Sequence, residues 1–274
     1  GLRRMALALR KAGFAVLRLN LRGADPGREF AGGTYSAQCD SDLIPVIIYA
    51  RKIAENLRSQ NLKSTKNIPL FGVGISLGGT ILLNGCLNSK KFFDSKNPIL
   101  DGLVCISSPL DLAACSASIE RPRNIVYQKW LLQRLEKQTL ADPFGIRKKE
   151  KDIISKAKDQ NLKIFSSIRD FDSVITAPRW GYKNVDQYYK MASPINKFFE
   201  EINLIPKALF IQSLDDPWVP SNSLEQIKKS NQQYYKKENL DFVLTQKGGH
   251  NGFHGKNGCW GDNLVKNYLL SISF

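Results

Sequence analysis

Apolar positions follow two rhythms along this chain. Residues 2–13 carry Leu2, Met5, Ala6 and Leu9 at helical spacing and stop at Gly13, a residue suited to a helix end. Residues 14–20 (Phe-Ala-Val-Leu-Arg-Leu-Asn) read as a strand running into the loop 22–27. A helix is predicted over 42–57, with Leu43, Val46, Ile47, Ala50 and Ile53 on one side. Short apolar runs at 68–75, 100–107, 207–214 and 240–245 have the length of strands, and helical segments are predicted at 77–87, 221–230 and 263–271. Strands alternating with helices predict an α/β fold, a mostly parallel sheet with helices on both faces. Between Pro109 and Ile205 the alternation stops. That stretch is helical and charged, with irregular pieces such as 176–182, and is too long for a loop. It reads as a helical cap over 110–203, inserted into a core made of 1–109 and 204–274.

Composition narrows the class. The chain has 274 residues, enough for one sizeable core with an insertion, and 42% hydrophobic residues exclude a disordered polymer. No apolar run approaches the roughly 20 residues of a membrane span. The opening residues 2–11 are too charged for the core of a signal peptide. Five cysteines, Cys39, Cys86, Cys105, Cys115 and Cys259, form an odd set without CxxC or zinc spacing, which suits a reducing cytoplasm and no bound metal. The net charge is +15, with basic residues dense in 147–163 and 228–237. Acids are interleaved in both, as on a solvated surface; an anionic membrane surface is a partner that such charge would suit. No basic-aromatic module points to nucleic acid.

The chemistry concentrates at Gly74-Ile75-Ser76-Leu77-Gly78-Gly79, which joins the apolar run at 68–75 to the helix after it. A serine hydroxyl becomes a nucleophile only when presented on a sharp turn beside a base, and glycines on both sides permit the strained backbone and the tight strand-to-helix crossing. The Leu77 N–H then heads a helix, where it can hold an oxyanion. The chain has only two histidines. His250 lies among glycines after the strand at 240–245 and is the candidate base; His254 reads as structural or as part of the site rim. A carboxylate should follow a strand too, and Asp215-Asp216-Pro217 does so, leaving the choice open by one position with Asp216 favoured. The order Ser76, Asp216, His250 is that of the α/β-hydrolase triad. Trp180, Tyr182 and Tyr188 are candidates for the wall of an acyl pocket in the cap.

These segments, together with Asn20-Leu21-Arg22-Gly23, Arg169-Asp170-Phe171-Asp172, Thr176-Ala177-Pro178, Gln187-Tyr188-Tyr189 and Ala192-Ser193, span nearly the whole chain. It resembles the α/β-hydrolases that include bacterial hydrolases, yeast medium-chain ethyl ester synthase/esterases and mammalian phospholipid-cleaving hydrolases. The resemblance implies a Ser76–Asp216–His250 triad that hydrolyses or transfers the acyl group of a small-molecule ester or lipid, without a cofactor. Two further readings stand beside it: an acyltransferase that passes the acyl group to an alcohol, and a ligand-binding relative without activity. Members of the family carry a strand and a His-Gly loop, donor of a second oxyanion N–H, ahead of the segment matching 2–13. This chain opens at Gly1 without methionine, and its His-Gly is His254-Gly255. The expectation is an absent upstream segment and a gap between the strands at 14–20 and 68–75.

Overall fold

The computed structural model describes residues 1–60, 67–93, 97–160, 163–256 and 258–273; residues 161 and 162 of the basic stretch lie outside them. The chain packs as two compact units. The first comprises Gly1–Arg18, Ala37–Asp111 and Ser193–Phe274, and the second Leu19–Ser36 and Leu112–Ala192.

Among the described residues the first unit holds a sheet of parallel strands β1 (Phe71–Ile75), β2 (Gly102–Ile106), β3 (Lys207–Ser213) and β4 (Leu240–Thr245), in that spatial order. Its helices are α1 (Leu2–Lys11), α2 (Asp40–Gln60), α3 (Leu77–Leu87), α10 (Asn222–Ser230) and α11 (Trp260–Ser271), with α4 to α9 in the second unit. The register places Val73, Val104 and Leu209 side by side, and Ile75, Ile106, Ile211 and Val243 in the next row on the same face. That face packs on Met5 and Leu9 of α1 and Val265 and Leu269 of α11. Each parallel pair needs a crossover, and the helices that make the crossovers cover the sheet.

The opposite face of β1 consists of Gly72 and Gly74, and α3 lies directly on it. A methyl group added to Gly74 would sit 2.3 Å from the Gly79 Cα, and one added to Gly79 would sit 2.0 Å from the Ser108 Oγ. α3 is apolar around most of its circumference, as a helix sunk in a core must be. Its buried polar groups are anchored: Thr80 Oγ1 donates to the Pro109 carbonyl at 2.7 Å, and Asn84 Nδ2 to the Ala37 carbonyl at 2.8 Å. All five cysteines are free thiols. Burial pushes the Cys86 thiol up to about 12.

Residues 14–20 form no strand, which corrects the sequence expectation. Phe14 and Val16 pack against the core cluster, whereas Leu17 and Leu19 are exposed. That alternation is what the sequence displays. A strand also requires a hydrogen-bonded neighbour, and this segment has no ladder partner among the described residues; β1 borders only β2. Elsewhere the boundaries move by a few residues. β1 starts at Phe71 because the Leu70 N–H is taken by the Asp101 carboxylate at 2.6 Å, and α11 starts at Trp260.

The second unit contains α4 (Leu112–Ile119), α5 (Ile125–Leu140), α6 (Lys148–Asp159), α7 (Ile168–Phe171), α8 (Ala177–Arg179) and α9 (Val185–Ala192), with a π turn over Asp172–Thr176. Leu132, Phe165, Ile168, Phe171 and Ile175 make its apolar core. The segment Leu19–Ser36 is fastened to these helices by polar contacts. Asp142 Oδ2 accepts from the Gly33 N–H at 2.8 Å and pairs with Arg28 at 3.4 Å and Arg179 at 3.2 Å, while Arg179 reaches Glu150 through two hydrogen bonds of 2.7 Å. Trp180 Nε1 donates to the Thr34 carbonyl at 3.0 Å, and Tyr182 packs on Tyr188 at 5.3 Å. These aromatic contacts lie within the unit.

Candidate active site

Ser76 stands between β1 and α3 with φ 53° and ψ −130°, a strained conformation for a residue with a side chain. Two hydrogen bonds hold it there: its N–H donates to the Ile106 carbonyl of β2 at 2.7 Å, and its carbonyl accepts from the Gly79 N–H at 3.0 Å. Of the two roles expected of the motif glycines, the structure shows the tight crossing of strand and helix. None of the three lies in the left-handed region; Ser76 carries the strain, and Gly74 and Gly79 allow the helix to touch the strand. Gly78 faces open space. Leu77 opens the helix, so its N–H belongs to the turn whose donors lack helical partners and where the dipole is positive.

Asp216 follows β3. Pro217 has no N–H, and the next two, of Trp218 and Val219, turn back onto Asp216 Oδ1 at 2.9 and 3.0 Å. Gln212 Nε2, buried at the end of β3, donates to Asp216 Oδ2 at 3.1 Å and to the Val219 carbonyl at 3.0 Å. Every acceptor of this fully buried carboxylate is thereby aimed. His250 follows β4 in a loop whose turn needs Gly249 at φ 52°. Ser213 Oγ donates to the Gly249 carbonyl at 2.7 Å, and the Gly249 N–H donates to Asp215 Oδ1 at 2.8 Å. The backbone N–H of Gly249 is the main reason that the Asp215 carboxyl is held below the usual carboxylate range.

The three loops end at one point. His250 Nδ1 lies 2.9 Å from Asp216 Oδ2, and His250 Nε2 lies 2.9 Å from Ser76 Oγ. A carboxylate only accepts, so Nδ1 carries the proton and Nε2 is left to accept from the serine hydroxyl. Trp218 tilts over the imidazole at 4.7 Å. The two adjacent aspartates divide the work: Asp216 binds the imidazole, and Asp215 binds the loop that carries it. His254 lies elsewhere, in the hairpin of β5 (His254–Gly255) and β6 (Gly258–Cys259), 3.5 Å from Arg4. Sequence reasoning missed Gln212 and Trp218. A glutamine inside an apolar strand was the available signal for the first, since a buried amide requires partners.

No family model matches the chain. It is 27% identical to an abhydrolase domain-containing protein of Dictyostelium discoideum over 97% of the chain and 61% of that protein. It is 32% identical to mouse phospholipase ABHD3 over 68% of the chain and 40% of that protein. The chain belongs to the α/β-hydrolase family. It spans about half the length of these relatives. The Pyrococcus furiosus esterase Pf2001 superposes with a TM-score of 0.53 at 15% identity, over 98% of this chain and 74% of that one, a likeness of fold. In this α/β-hydrolase, no group of three or more His, Cys, Asp or Glu side chains among the described residues is placed to hold a metal ion. No helix among them is long and apolar enough to cross a membrane.

Proposed function

We propose that this protein is a serine hydrolase that cleaves carboxylic esters, lipid or medium-chain acyl esters, through an acyl-enzyme. The observation that carries the reading is the unbroken chain Ser76 Oγ–His250 Nε2, His250 Nδ1–Asp216 Oδ2, with both links at 2.9 Å. His250 takes the Ser76 proton as Oγ attacks the ester carbonyl carbon. Asp216 fixes the tautomer and stabilises the imidazolium. The Leu77 N–H meets the oxyanion at the head of α3. The tetrahedral species collapses, the C–O bond to the alcohol breaks, and His250 returns the proton to the leaving alkoxide. Water then attacks the acyl-Ser76 ester, gives its proton to His250, and the acid departs as Oγ is reprotonated. An alcohol in place of that water would make the same site an acyltransferase, and product ratios in mixed alcohol and water distinguish the two.

A fluorophosphonate probe tests the reading. The protein should be labelled on Ser76, and Ser76→Ala should lose both the label and the hydrolysis of p-nitrophenyl butyrate and decanoate. A well-folded protein that takes no label at Ser76 would be a ligand-binding relative without activity, and the reading would fall.

A further inference from the structure

The helix α5 of the second unit presents an outer face that the fold leaves uncovered. Its inner face sends Gln128, Leu132 and Thr139 into the unit. The helical repeat puts Val126, Trp130, Gln133 and Lys137 on the opposite stripe, with Leu140 at its edge. Val126 is 78% exposed, Trp130 50% and Leu140 42%. For a single exposed leucine this would be ordinary; a valine and a tryptophan one turn apart on the outer face, with a leucine at its edge, are not. The flanks are basic. Residues 120–140 contain Arg121, Arg123, Lys129, Arg134 and Lys137 against Glu120 and Glu136, a net charge of 5 − 2 = +3. Both acids are engaged or set aside: Glu120 accepts from Ser116 and from the Arg169 N–H, and Glu136 is half-buried. Trp130 is also held in place, stacked on Tyr127 at 5.8 Å with the Arg134 guanidinium 5.4 Å from its ring.

We propose that this face of α5 docks the protein on an anionic membrane surface, with Val126, Trp130 and Leu140 entering the head-group boundary and Lys129, Arg134 and Lys137 meeting lipid phosphates. The chemistry is that of an interfacial helix: an apolar stripe, a tryptophan whose ring suits the boundary, and cations beside it. Apolar burial and head-group attraction are both weak alone and add together. The site differs from the lysine-rich stretch at 228–237, where the exposed large side chains are the neighbouring Tyr234 and Tyr235 and no exposed valine or tryptophan accompanies the charge. It also stands apart from the ester-cleaving reading, because binding is measured without any turnover.

The experiment is co-sedimentation with vesicles of phosphatidylcholine alone and with about one third phosphatidylglycerol. The protein should bind the anionic vesicles and not the neutral ones, and binding should fade at high salt. Val126→Ser with Trp130→Ser, both at exposed positions, should weaken binding about tenfold or more. Lys129→Gln with Lys137→Gln should weaken it severalfold. Lys229→Gln with Lys236→Gln, which removes the same charge from the first unit, should leave it unchanged. Circular dichroism and the unfolding midpoint of each variant keep folding defects separate. The proposal is overturned if the unaltered protein ignores anionic vesicles, if the α5 variants bind as well as it does, or if the first-unit variant loses as much. It falls equally if sedimentation velocity shows the face occupied by a second copy, with dimers that Val126→Ser and Trp130→Ser abolish.

Discussion

Two buried carboxylates, one in each unit, solve the same problem in opposite ways. Asp142 in the second unit and Asp216 in the first both sit away from water, and each is satisfied by backbone N–H groups and side chains. Asp142 lies in a closed circuit. Burial would raise its pKa, but the N–H groups of Gly33 and Phe144 and the guanidinium groups of Arg28 and Arg179 hold it below the ordinary value. Its two cations are themselves anchored, Arg179 on Glu150 and Arg28 on the Ala31 and Gly33 carbonyls. Asp216 faces Trp218, Val219 and Gln212 on one side and leaves one direction for His250, which passes the polarisation on to Ser76. The comparison teaches that a satisfied buried charge is not a functional sign by itself. What marks the site is a chain of hydrogen bonds that ends on a nucleophile rather than on another anchored group.

Exchanging the two carboxylates for amides separates these roles most strongly. Asp216→Asn should lower kcat for ester hydrolysis on the order of 10⁴-fold with little change in stability, because the amide favours the wrong imidazole tautomer. Asp142→Asn should do the reverse, with activity per folded molecule kept while urea unfolding shows a loss of about 3 kcal/mol, since two guanidinium groups lose a buried partner. Equal losses of activity in both variants would erase the distinction.

The glycines of the nucleophile turn sharpen it further. Gly74→Ala should cost about 3 kcal/mol, because the new methyl meets the backbone of Gly78 and Gly79 and must push α3 off β1. Gly78→Ala has open space and should leave the unfolding midpoint unchanged or raise stability by up to about 1 kcal/mol, as alanine replaces glycine within a helix. If the two variants unfold alike, the contact between α3 and β1 is not the reason for the motif.

The sheet and the candidate site were readable because short-range signals carry them. The apolar runs gave β1 to β4 to within a few residues, and the helix α3 was read at the bounds it adopts. Ser76, Asp216 and His250 each follow a strand, and parallel strands deliver their C-terminal ends to one edge. What stayed hidden depends on partners distant in sequence. Residues 14–20 have the alternation of a strand and no neighbour to pair with. The union of Leu19–Ser36 with the second unit rests on Asp142, Trp180 and Gln138 reaching back more than a hundred residues, and no local pattern announces that. The division between Asp215 and Asp216 was open for the same reason, since both follow β3 and only the loop of His250 tells them apart.

Gln212 offers a smaller and finer test. Its amide donates to the same carboxylate oxygen that accepts the imidazole N–H, so it orients Asp216. A hydrogen bond to a charged group is worth about 1.5–3 kcal/mol, so Gln212→Leu should lower kcat about tenfold with KM unchanged. A fall in KM and kcat together, or no change in either, would place Gln212 in the packing of β3 alone.

The gentlest probe returns to the second unit. Asp172 accepts from Tyr189 Oη at 2.8 Å at the start of the π turn. Burial pushes its carboxyl up to about 6, although its hydrogen bonds with Thr176 and Tyr189 work in the other direction. The folded form therefore holds its proton at a pH where the unfolded chain, near 3.9, has released it. Between those values the native state binds more protons, so this group makes stability fall as pH rises from about 4 to about 6 and contributes no slope above that. Asp142 works in the opposite sense, losing stability as pH falls, so the total slope mixes the two. The difference between the protein and Asp172→Asn isolates the first. Asparagine still accepts from Tyr189 through Oδ1 and has no proton to exchange. The variant should match the original at pH 4 and exceed it by a growing margin up to pH 6 in urea unfolding. A constant difference across that range would mean that Asp172 does not titrate there.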